Sequence, residues 1–145
     1  MEIAVVTDGE AVRACFPAIR ELRPQLTVSA FVEQVQRQQR NHGYVLVAGR
    51  AADEVVVVAG YRLAEYLAWG RTFYVDDLVT PAAARHQGYG GAMLDWLLAR
   101  ARELGCDQFH LDSGVQRHDA HRLYLGRKLQ ISSHHFSQVL ATPAG

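Results

Sequence analysis

No apolar run in this chain approaches the roughly 20 residues that a bilayer-crossing helix needs, so a membrane span is not expected. The chain opens directly on strand-like Glu2-Ile3-Ala4-Val5-Val6, with no basic stretch leading into an apolar core, so export is not expected either. Net charge is also missing, with 15 Lys and Arg against 15 Asp and Glu. That leaves no broad basic face for a nucleic acid and no polybasic membrane anchor. Cysteine is scarce. Cys15 and Cys106 sit in apolar surroundings and read as small buried thiols of a reducing compartment, the cytoplasm, and not as a disulfide framework. Repeats, low-complexity tracts and linkers are absent, so residues 1–145 are expected to form one domain that needs no metal or disulfide to hold its core.

What is present is a regular alternation of patterns. Ile3 to Val6 reads as a strand, and Asp8 offers a cap for a helix carrying Val12, Cys15, Phe16, Ile19 and Leu22 at a 3.6-residue period. Pro17 removes a hydrogen bond in that helix at a cost of about 3 kcal/mol, which predicts a kink or two short pieces, and Pro24 stops it. Thr27 caps a second helix with Val28, Phe31, Val32 and Val35 on one face, ending near Gly43. Tyr44 to Ala48 and Val55 to Leu63 read as antiparallel strands joined through Gly49 to Asp53. Ala64 to Gly70 then leads to Phe73 to Thr80, an interior strand that is apolar except for Asp76 and Asp77. A helix with Leu94, Leu97, Leu98, Ala101 and Leu104 on one face stops at Gly105, and Gln108 to Leu111 is a short strand. This strand, turn, helix and strand form a βαβ unit with parallel strands. Asp119 to Gly126 reads as a last helix, and Leu129 to Leu140 as a last strand or bent pair.

The turn of that βαβ unit is Arg85-His86-Gln87-Gly88-Tyr89-Gly90-Gly91-Ala92. Glycines before a helix let the backbone approach an anion, and the helix presents unpaired N–H groups and the positive end of its dipole. A tight connection explains the glycines equally well, so both readings stand on them alone. A dinucleotide fingerprint wants glycine where Met93 stands, and a P-loop wants Gly-Lys-Ser/Thr, which is absent.

The pattern Arg/Gln-x-x-Gly-x-Gly/Ala before an amphipathic helix, met by Arg85, Gly88 and Gly90, resembles the GNAT superfamily of acetyl-CoA-dependent N-acetyltransferases. Ala120-His121-Arg122-Leu123-Tyr124 is similar to a later segment of that family, as are Tyr74 to Val79 and His134 to Phe136 to one of its branches. The resemblance covers the element order of essentially the whole chain. It implies a mixed α+β fold, a twisted sheet of six to seven strands flanked by about four helices, whose central strands splay to hold coenzyme A. The implied cofactor contacts are Arg85, His86, Gln87, Gly88, Tyr89, Gly90 and Gly91 on the pyrophosphate, and main-chain groups of Leu78 and Val79 on the pantetheine arm. Arg117 and Ala120 lie on the same wall, although Arg117 replaces a common asparagine and Lys128-Leu129 replaces a common Gly-Phe.

The implied activity is acetyl transfer from acetyl-CoA directly to a primary amine, small or protein-borne, in a ternary complex. The alternative is a catalytically silent coenzyme A-binding regulatory or interaction module. An alkylamine is neutral in only about one molecule in a thousand at neutral pH, so deprotonation needs help. Asp76 and Asp77 are the candidates, and strand alternation predicts that they face opposite ways. The plainer reading pairs these acids with arginines. Glu65 and Trp69 are candidate acceptor contacts, and Tyr124, by its place in the second motif, is the acid that would reprotonate the thiolate. The seven histidines lack cysteine and carboxylate partners at ligand spacing, so no metal is expected. The apolar Ser133 to Leu140 invites pairing at an edge, and with it a homodimer through the C-terminal strand.

Overall fold

Pro17 divides the first helical stretch as its chemistry requires. In the computed structural model, which describes residues 1–141, helix α1 (Gly9–Ala14) ends at Cys15 and α2 (Phe16–Leu22) begins with the proline in its first turn, where no N–H is missed. Asp8 caps α1 by accepting from the Glu10 and Ala11 amides, both at 3.0 Å. Thr27 caps α3 (Val28–Asn41) through the Ala30 amide at 3.2 Å. The chain divides into two compact units, Met1–Leu111 and the stretch from Asp112 onward.

The first unit is built on a five-stranded sheet in sequence order. Strands β1 (Glu2–Val6), β2 (Val45–Ala51), β3 (Glu54–Tyr66) and β4 (Gly70–Val79) form an antiparallel meander, and β5 (Gln108–Leu111) lies parallel to β4. A 3₁₀ turn (Ala82–Ala84) and helix α4 (Tyr89–Glu103) connect β4 to β5, the βαβ unit foreseen from the pattern. Helices α1 to α3 bury Val12, Cys15, Ile19, Phe31 and Val35 with Leu46, Ala48, Val58 and Val79 of the sheet. α4 packs on β3, β4 and β5 and buries Met93, Leu94, Leu97 and Ala101. Each fully buried aliphatic side chain contributes about 1.5–3 kcal/mol, so these two layers hold the strand ends where the glycine turn begins.

Among the described residues the architecture is mixed α+β with five strands and five α-helices, fewer strands than the six to seven expected and one helix more than about four. The extra helix is the division at Pro17. The missing strand is the last one, because residues 129–141 carry no regular element. An apolar, extended segment becomes a strand only by pairing, and no ladder partner for it occurs among the described residues. The β2–β3 connection is also tighter than expected, a turn at Ala52 and Asp53 with β2 running on through Ala51.

The second unit contains helix α5 (His118–Gly126), one residue longer than expected at its start. It closes with the Lys128 amide on the Leu125 carbonyl at 3.0 Å and the Leu129 amide on the Tyr124 carbonyl at 3.1 Å, the paired bonds of a Schellman motif. No helix among the described residues is long and apolar enough to cross a membrane.

Candidate active site

The parallel pairing of β4 with β5 ends at Val75 and Leu111, while β4 continues to Val79 against β3. Asp76 to Val79 therefore have no strand on their β5 side among the described residues, and Leu78 and Val79 are both buried. The end of β4 thus runs on beyond its neighbour, the edge strand β5, and leaves an open strand edge there. The chain then leaves β4 through Thr80 and Pro81, makes the 3₁₀ turn, and enters α4.

Gly88 is the first boundary residue of α4 at φ 84°, a left-handed conformation that would strain any other residue. No side chain caps the helix there, so the amides of its first turn have no side-chain acceptor. His86 also has positive φ, at 63°. Gln87 is exposed, Tyr89 and Gly90 are half-buried, and Gly91, in the first turn of α4, is buried. The Arg85 guanidinium turns back to the Thr80 carbonyl, with Nε donating at 3.2 Å.

The strand carboxylates depart from simple alternation. Gly60 pairs with Asp77 and Tyr61 with Val75, so Asp76 is the extra residue of a β-bulge. The bulge brings both acids into one polar network. Arg62 Nε donates to both Asp76 oxygens at 3.1 Å. Asp77 accepts from Arg23 Nε at 3.0 Å and from the Tyr44 hydroxyl at 2.8 Å, and Arg23 also donates to the Asp76 carbonyl at 3.1 Å. The expectation that the acids face opposite ways fails for this reason, and their pairing with arginines is what is found. Both carboxylates are therefore engaged, Asp76 by Arg62 and Asp77 by Arg23 and Tyr44.

Tyr44, Arg23 and Arg62 were not singled out from the sequence, although two acids on an interior strand call for cations. Tyr44 lies over Gly60, where a Cβ would collide with its hydroxyl. Burial, followed by the charge of Asp77 and its hydrogen bond, pushes the Tyr44 phenol well above its ordinary range.

Glu65 and Trp69 are not brought to this end. Glu65 pairs with Arg71, and six residues of strand, roughly 20 Å, separate Arg71 from Asp77. Trp69 stacks on His110 with ring centroids 3.8 Å apart and meets Tyr66 at 4.9 Å. Tyr124, Arg117 and Ala120 belong to the second unit. There Tyr124 is buried, which raises its phenol above its ordinary value, with Arg117 opposing the shift. Of the two thiols, Cys15 is buried and raised to about 11 by that burial. No group of three or more potential metal ligands occurs among the described residues.

The family model described as acetyltransferase (GNAT) family matches residues 10–127. An uncharacterized N-acetyltransferase of Bacillus subtilis, YhdJ, is 30% identical over 119 residues, covering 82% of this chain and 84% of that protein. The aminoalkylphosphonate N-acetyltransferase of Salmonella typhimurium is 32% identical over 66 residues, 46% of this chain and 43% of that protein. A crystal structure of a probable acetyltransferase superposes with a TM-score of 0.82 at 16% identity over 100% of both chains, a likeness of fold.

Proposed function

The chain belongs to the GNAT acetyltransferase family, and on that premise we propose that it transfers the acetyl group of acetyl-CoA directly to a primary amine within a ternary complex. The observation that carries this reading is the run of β4 beyond the end of β5, followed by an uncapped α4 whose first turn begins at left-handed Gly88. The open edge at Leu78 and Val79 suits the amide-bearing pantetheine arm, and the amides of Gln87 to Gly91 suit the pyrophosphate. The Val79 N–H is the proposed donor to the oxygen of the tetrahedral intermediate.

In the reaction the neutral amine attacks the thioester carbonyl, the C–S bond breaks, and the thiolate takes a proton. Tyr124 is the proposed proton donor. Its support is its place at the end of the Ala120 to Tyr124 segment that resembles the family's later motif. The amine loses its proton to solvent, because Asp76 and Asp77 are engaged by Arg62 and by Arg23 and Tyr44. Cys15 is unsuited to an acyl-enzyme route, since its buried thiol at about 11 is a poor nucleophile.

The acceptor class is a small amine or a protein amino group, and the aminoalkylphosphonate enzyme among its relatives puts a phosphonate-bearing primary amine first in the panel to be tried. The test is release of free thiol from acetyl-CoA across such a panel. Intersecting initial-velocity lines are expected, and parallel lines would refute direct transfer. Failure of every acceptor, together with no affinity for coenzyme A, would remove the proposal. Tyr124→Phe should lower kcat while leaving coenzyme A binding intact, whereas in a silent binding module nothing measurable would change.

A further inference from the structure

The end of α2 reaches across to the cofactor turn. Glu21 accepts from the Ala82 amide, at 2.9 Å to one carboxylate oxygen and 3.2 Å to the other, and lies 3.5 Å from the Arg85 guanidinium. The contact to Ala82 joins positions 61 residues apart in sequence. It also supplies what the turn lacks. Pro81, Ala82, Ala83 and Ala84 carry no polar side chain, and the 3₁₀ turn has no side-chain cap of its own. Its first amide would otherwise be left to water, and the turn would be held only by its own Ala84 N–H to Pro81 carbonyl bond at 2.8 Å and by Arg85 on the Thr80 carbonyl.

We propose that Glu21 is a positioning residue for the cofactor turn, holding Pro81 to Arg85 in the conformation that presents the amides before α4 to the acetyl-CoA pyrophosphate. The inference rests on the reading of that stretch as the acetyl-CoA site. A loop ordered before the ligand arrives spares the binding step the cost of ordering it. The opposite role, an internal anion that competes with phosphate for Arg85, fits the geometry less well. The short contact is to the amide, the contact to Arg85 is longer, and the Arg85 side chain is 53% exposed and already bonded to Thr80. Glu21 and Arg23 stand two apart at the same helix end, so one short piece of α2 is tied both to the Asp77 network and to the turn.

The test measures acetyl-CoA affinity by calorimetry, and steady-state kinetics, for the full chain and for Glu21→Ala and Glu21→Gln. Glu21→Ala should raise both Kd and KM for acetyl-CoA roughly tenfold, the size of one charge-assisted hydrogen bond, with kcat within about twofold. Glu21→Gln keeps an oxygen for the Ala82 amide and should recover most of the affinity. Hydrogen exchange without ligand should show faster exchange at Ala82 to Arg85 in the alanine variant and near-parental exchange in the glutamine variant. Unchanged or tighter binding by Glu21→Ala, or a glutamine variant no better than alanine, overturns the inference while leaving the acetyl-CoA site standing. A parent chain that does not bind acetyl-CoA overturns both.

Discussion

Cys15 shows how one buried residue couples stability to pH. Its thiol donates to the Ala11 carbonyl at 3.4 Å, and burial raises it from 9.0 to about 11, with Arg50 opposing. Between those values the unfolded chain has lost the proton that the folded chain retains. Stability is therefore fully present below pH 9 and falls as pH rises towards 11, by on the order of 2–3 kcal/mol. Urea unfolding at pH 8 and pH 10.5 should show most of that loss, and Cys15→Ser should reduce it to the part owed to the raised phenols of Tyr44 and Tyr124; an unchanged slope in the serine variant would show that the thiol is not its source. Asp77 poses a different question, whether it acts as a base or as a tie. Its bonds to Arg23 and Tyr44 predict a tie. Asp77→Asn should cost about 1–3 kcal/mol, towards the lower end because the Arg23 side chain is 42% exposed. The acid limb of the kcat/KM profile should survive in Asp77→Asn, and its disappearance would make Asp77 the base.

Two helices end with the same motif and different residues, which isolates one backbone cost at the level of the element. α4 closes with Gly105 at φ 70°, its amide on the Arg102 carbonyl and the Cys106 amide on the Ala101 carbonyl, both at 3.0 Å. α5 closes with the same pair of bonds around Lys128 at φ 65°, where the resembling family commonly has glycine. A side chain in that conformation costs about 1 kcal/mol, partly offset by the freedom glycine loses on folding. Lys128→Gly should stabilise the chain by about 0.5–1 kcal/mol and raise Tm by about 2–4 °C per kcal/mol. A fall in Tm would mean that the lysine side chain contributes more than its backbone costs. Gly88 offers the converse experiment. Nothing lies within 4 Å of a Cβ added there, so only the φ of 84° opposes Gly88→Ala. The alanine variant should lose about 1 kcal/mol of stability and weaken acetyl-CoA binding, because relief of the strain redirects the amides before α4.

For the whole molecule, what was legible in the sequence was local. The caps at Asp8 and Thr27, the break at Pro17, the α4 face and the parallel β4–β5 pair all follow from residues near each other in the chain. What was not legible depends on distant partners. The bulge at Asp76 is set by β3, the Tyr44 and Arg23 contacts to Asp77 span 33 and 54 residues, and the apolar segment after Leu129 lacks the neighbour that would make it a strand. The same dependence divides the chain energetically. Apart from Tyr124, every buried hydrophobic side chain among the described residues lies between Val6 and Ala101, while Ile131, Phe136, Val139 and Leu140 are 81–91% exposed. A nine-residue helix is too short to persist on propensity alone, so α5 has few means of offsetting the entropy of ordering its unit. The stretch from Asp112 should therefore open at a lower free energy than the sheet. In native-state hydrogen exchange at low denaturant, the amides of Leu46, Val57, Val58, Phe73 and Leu97 should exchange last, through global unfolding. Those of Leu123 to Gly126 should exchange at least tenfold faster, a difference of about 1.4 kcal/mol or more in opening free energy, with weaker denaturant dependence because less surface is exposed. Equal opening free energies and equal denaturant slopes in the two sets would show a single cooperative structure and refute the division.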